Sequence, residues 1–138
     1  MLINPHYSSV VLAGTTDASG DLTIRSSAQS PLFGDVISVL VDGIALTDSA
    51  NLVLTEGLIG AAGTEVFGPN IINNADIGNA TLTDLRPSAP LQDEAGVAQL
   101  SATDDVPTLF SLHGGRLKAV ISAGGNAKAV KIWVTIRG

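Results

Sequence analysis

Arg116-Leu117-Lys118-Ala119-Val120-Ile121-Ser122-Ala123-Gly124-Gly125-Asn126-Ala127-Lys128-Ala129-Val130-Lys131-Ile132-Trp133-Val134-Thr135-Ile136-Arg137 is the stretch whose reading decides the fold. In its second half Val130, Ile132, Val134 and Ile136 hold one parity, and Lys131, Trp133, Thr135 and Arg137 hold the other. That is the two-residue period of a β-strand with one buried face. In its first half Leu117, Ala119, Ile121 and Ala123 read as inward, which leaves Arg116, Lys118, Val120 and Ser122 outward. Gly124-Gly125-Asn126-Ala127 lies between the two halves and reads as the turn of an antiparallel hairpin. A two-residue and a four-residue loop both conserve parity, so inward positions oppose inward positions either way. The outer face of this hairpin is expected to gather Arg116, Lys118, Lys131, Trp133 and Arg137 as a contact surface. A cation over the indole contributes about 0.5–1 kcal/mol when exposed, and Trp and Arg are enriched among interface hot spots. The competing reading is a solvated face, or a Trp133 covered by a loop of its own subunit.

Outward from this stretch the same texture continues. Short segments rich in Val, Ile, Leu and Thr alternate with Gly, Asn, Asp and Pro, and none keeps helical spacing for three turns. Strands are predicted over residues 7–13, 21–26, 35–41, 51–56, 64–67, 81–85, 97–101, 108–112, 116–123 and 128–137. A short helix within 46–54 or 74–82 is the alternative at those two places. The fold class expected is all-β, an antiparallel β-sandwich of jelly-roll or Greek-key type. Asp17-Ala18-Ser19-Gly20 marks one turn, and Asp93-Glu94-Ala95-Gly96 repeats its spacing. Each is followed, after a strand and a loop, by a Gly-led apolar run, 34–43 and 115–125, which hints at two related sheet units. Residues 57–78 are the least regular and read as one or two long loops carrying a short strand, a common place for functional contacts on a β scaffold.

The chain has 138 residues, the size of one domain, of which 45% are apolar and only 14% charged, against roughly 25% charged in average globular proteins. So few charges imply a surface partly covered by a partner or by further copies; the alternative is a monomer with a Ser, Thr, Asn and Gly surface. The net charge is −6, with all thirteen acidic residues at or before Asp105, so that residues 1–105 carry −11 and residues 106–138 carry +5. Such polarity predicts docking between opposite ends of identical copies or onto an acidic surface. There is no cysteine, which excludes disulfides and thiolate metal sites. Residues 1–10 lack the pattern of a secretory signal, and no apolar run reaches the eighteen or so residues of a membrane span. The expectation is a soluble protein with no membrane partner.

The residues of catalysis are sparse. His6 and His113 are the only histidines, one in a terminal arm and one before Gly114-Gly115 in a turn, and neither sits in a nucleophile motif. Two lone histidines give no zinc spacing, Asp17 to Asp21 lacks a calcium-loop ladder, and Asp104-Asp105 reads as solvated turn carboxylates. A carboxylate pair for glycoside hydrolysis remains open among thirteen acids. Phosphate-binding glycine motifs are missing, and a pI near 4.5 does not suit nucleic-acid binding. No catalytic residue, metal ligand or cofactor is therefore assigned, and the chain is expected to build or bind.

Three segments carry a resemblance: Thr15-Thr16-Asp17-Ala18-Ser19-Gly20, the run from Gly34 to Gly43, and the ending from Gly115 to Val120 and Lys131 to Ile136. In these, and in style across most of its length, the chain resembles the small β-sandwich capsid decoration, or cement, proteins of tailed bacteriophages. The resemblance implies a non-enzymatic protein on the outside of the virion capsid, often trimeric, bridging neighbouring subunits of the major capsid protein. It carries over no individual residue. Residues 1–6 are expected to form an N-terminal arm that reaches a neighbour. The alternative function, from another class, is a carbohydrate- or receptor-binding module of a tail or fibre that uses the loops of 57–78.

Overall fold

A computed structural model describes residues 6–90, 105–107 and 110–138. Ten strands follow in order: β1 Tyr7–Thr15, β2 Leu22–Arg25, β3 Leu32–Asp42, β4 Asn51–Ile59, β5 Glu65–Asp76, β6 Thr83–Leu85, β7 Ser88–Pro90, β8 Asp105–Pro107, β9 Phe110–Ser122 and β10 Ala129–Arg137. There is no helix among the described residues. Where a helix was the alternative, β4 begins at Asn51 and β5 runs to Asp76. The predicted strand at 97–101, the second Asp-x-x-Gly turn at 93–96, Asp104 and residues 1–5 of the arm lie outside the described residues.

The strands form two antiparallel sheets. One has the order β1-β10-β3-β6 and the other β2-β9-β4-β5, and β7 pairs with β8 as a separate two-stranded unit. This interleaving, in which β1 to β4 alternate between sheets, β4 and β5 share one, and β9 and β10 return to opposite sheets, is the jelly-roll order. The predicted sandwich is thus present in its jelly-roll form. The core lies between the sheets, where inward residues of both meet: Val39, Val41, Ile132 and Val134 from the first, Leu52, Leu54, Leu117 and Ile121 from the second, all fully buried. Alternation produces this directly, because side chains two apart share a face.

Three expectations are corrected. Residues 57–78 do not form long loops. Residues 60–64 turn tightly, with the Gly60 amide donating to the Thr64 carbonyl at 2.8 Å, and β5 returns along β4 for twelve residues. Its Gly, Pro and Asn residues sit in an exposed edge strand whose register shifts at three places, and bulged edges tolerate such residues. Residues 108–112 and 116–123 do not form two strands. Their described residues from Phe110 to Ser122 belong to one strand, β9, which contains His113 rather than a turn.

The third correction concerns the segment that opened the reading. β9 and β10 do not pair as a hairpin: β9 pairs with β2, β3 and β4, and β10 with β1 and β3. Residues 123–128 cross from one sheet to the other. Their backbone is tied to other connections, with the Gly124 amide donating to the Gly20 carbonyl at 2.8 Å and the Thr47 amide donating to the Gly124 carbonyl at 3.2 Å. The predicted inward sets are buried except Ala123, which is exposed at a φ of 56°. Parity fixes which side chains face the core; it does not fix which strand lies alongside.

Candidate functional site

Because β9 and β10 lie in opposite sheets, the five predicted contact residues divide between two faces that point away from each other. Arg116 and Lys118 stand on the outer face of the second sheet. Lys131, Trp133 and Arg137 stand on the outer face of the first.

On the second sheet, Glu65 from β5 accepts hydrogen bonds from Arg116 Nε at 2.6 Å and Nη2 at 3.1 Å, and Arg25 Nε from β2 approaches it at 3.7 Å. The two-point bond to Arg116 holds the Glu65 carboxyl below its ordinary value of 4.5, with Arg25 and Lys118 adding to the effect and burial opposing it. Lys118 Nζ lies 4.1 Å from the centre of the Phe67 ring. These cations are therefore engaged within their own sheet.

On the first sheet, the cross-strand register builds a row. Val11 of β1, Trp133 of β10 and Leu40 of β3 are consecutive partners. Val11 is 49% exposed, and Trp133 and Leu40 are half-buried. The neighbouring rows on this face are Ala13, Lys131 and Asp42 on one side and Ser9, Thr135 and Ser38 on the other, with Tyr7, Arg137 and Asp35 beyond. An apolar centre inside a polar rim is the layout of a protein interface. Lys131 Nζ lies 5.1 Å from the Trp133 ring centre, so the expected cation over the indole is present and comes from the same strand.

The predicted charge polarity along the sequence does not become a polarity in space. β9 and β10 are interior strands of their sheets, so that Arg116 meets Glu65, Lys131 sits opposite Asp42, and Arg137 opposite Asp35.

One structural centre escaped the sequence reading. The first part of β9 pairs with β3, through Val36↔Phe110 to Leu32↔Gly115, and from Arg116 onward it pairs with β4. The strand changes sheets at Gly114-Gly115. Gly114 has a φ of 87°, and a Cβ on Gly115 would land on the Gly57 carbonyl oxygen. At this corner Glu56 is only 2% exposed. Its Oε2 accepts the amides of His113 at 2.7 Å and Gly115 at 3.0 Å, and its Oε1 lies 2.9 Å from His113 Nδ1. A carboxylate buried there satisfies amides that the departing strand leaves without ladder partners. The signal was present in parity, since Leu52, Leu54 and Glu56 alternate onto one face of β4.

No protein-family model matches the sequence, and no curated protein matches it. Among solved structures the chain is similar to a chain of the infectious bursal disease virus Gx strain, with 15% identity and a TM-score of 0.46, covering 98% of this chain and 32% of that one. It is also similar to a chain of the Gt strain of that virus, with 12% identity and a TM-score of 0.39, covering 96% and 30%. The chain thus spans about a third of the length of these structures.

Proposed function

We propose that this chain is a non-enzymatic virion structural protein that binds the outside of a tailed-phage capsid, bridges neighbouring subunits of the major capsid protein, and makes its contact through the outer face of the first sheet. The observation that carries the reading is the Val11, Trp133 and Leu40 row, apolar at its centre and ringed by polar rows. The rigid scaffold suits this role. Jelly rolls recur among capsid and lectin domains, and a sheet face presents side chains without a loop to reorganise. The low charge content of 14% agrees with a surface used for repeated contacts. Trp133 is the expected anchor and Lys131 and Arg137 the rim, whereas Arg116 and Lys118, held by Glu65 and Phe67, stabilise the opposite sheet.

Purified chain mixed with particles that lack it, followed by electron microscopy, tests the reading. Regular added density at stoichiometric occupancy, lost with Trp133→Ala and retained with Arg116→Ala, is the expected result. Particles that stay bare at saturating chain overturn it.

A further inference from the structure

Among the described residues the two sheets have four lateral edges, and three of them carry features that discourage pairing with another chain. β6 has three residues and β2 has four, too short to template a partner. β5 is long, but its register with β4 shifts at three places, and it contains Pro69 and an Asn74 at a φ of 52°. Short length, bulges and proline are the usual means by which edges are protected. β1 has none of them. It runs nine residues as Tyr-Ser-Ser-Val-Val-Leu-Ala-Gly-Thr without a charge or a proline, in unbroken register with β10 from Tyr7↔Arg137 to Thr15↔Ala129. Among the described residues β10 is the only strand that pairs with it.

We infer that the free edge of β1 pairs antiparallel with β1 of a second copy, joining the two first sheets into one across a two-fold axis at Val11. Two observations converge on that occupant. Antiparallel pairing of a strand with itself satisfies every outward amide and carbonyl with a copy of the same edge, the self-complementary contact that a two-fold requires. Full overlap of nine residues sets Val11 against Val11 of the second copy and Tyr7 against Thr15. The apolar row, which ends abruptly at the edge on a Val11 49% exposed, then continues as Leu40, Trp133, Val11 and the same three residues in reverse.

The inference uses the same Val11 row as the virion reading, but it is tested on the isolated chain. The chain has no cysteine, so single cysteines report the contact cleanly. Ser9→Cys, Val11→Cys and Ala13→Cys are compared under mild oxidation, with mass measured by light scattering and fold by circular dichroism. Residues facing each other across an antiparallel pair have Cβ atoms about 4.5–5.5 Å apart, close to disulfide reach. The expected outcome is a dimer of the unmodified chain and a covalent dimer that forms fastest at position 11. Val11→Lys, which sets two ammonium groups against each other at an exposed position, is expected to keep the fold and weaken the dimer at least about tenfold. A monomer at all concentrations overturns the inference, and so does an oligomer that Val11→Lys leaves intact and whose cross-linking shows no preference for position 11. Capsid binding by a monomer would remove this inference and spare the virion reading; a dimer that leaves capsids bare would do the reverse.

Discussion

Removing the Glu56 carboxylate would leave the amides of His113 and Gly115 inside the protein without an acceptor. Glu56→Ala is therefore expected to lower the free energy of unfolding by about 2–4 kcal/mol, read from urea titrations followed by circular dichroism. His113→Ala should cost under about 1 kcal/mol, because the imidazole is 64% exposed and water replaces it readily. Equal losses in the two variants would show that the ring, rather than the strand amides, is what Glu56 serves. Glu65 behaves differently. Its carboxyl is lowered by the bond to Arg116, so it favours the folded state fully above the ordinary value of 4.5 and loses that contribution as pH falls through its lowered value. A Glu65→Gln variant should accordingly be less stable than the parent at pH 6, with the gap narrowing as the pH is taken below 4.5. A gap independent of pH would rule out the ion pair as its source.

The elements of the sandwich depend on β9 bending from one sheet to the other. Gly115→Ala would push a methyl group onto the Gly57 carbonyl, and backbone cannot yield as a side chain can. We expect a loss of about 1–3 kcal/mol, and scanning calorimetry on the purified variant would measure it; an unchanged melting temperature would mean that the corner is pliable. The same corner shows where the sequence stops being legible. Strand identity was readable for β1, β3, β4 and β10, and facing for β10 and the second half of β9, where apolar and polar residues alternate and burial follows parity. Pairing was not. A β9–β10 hairpin and the observed crossover make the same inward sets, so Leu117 and Ile132 are buried in either arrangement, and nothing local distinguishes them. The ties that decide it run from Gly124 to Gly20 and Thr47, more than seventy residues away. β5 was hidden for the opposite reason: an edge strand buries little, so Gly68-Pro69-Asn70 looked like loop while extended along β4.

On the scale of the whole molecule, the two outer faces act as independent surfaces on either side of one core. A partner on the first sheet cannot touch Arg116 or Lys118. Trp133→Ala should reduce capsid occupancy at least about tenfold, as hot-spot truncations do, whereas Arg116→Ala combined with Lys118→Ala should leave occupancy near that of the parent; titration of labelled chain onto particles reads both. The effects of the two sets are expected to add, since they share no partner. Alternation placed Lys131, Trp133 and Arg137 on one outward face, where they lie, but assigning all five residues to that face assumed a pairing that the fold does not have. β10 carries a further consequence, for the timing of synthesis. It lies between β1 and β3, so the first sheet has no centre until residues 129–137 have left the ribosome. Until then Tyr7–Thr15 lacks the strand that pairs with it among the described residues, and the first sheet cannot close over the core.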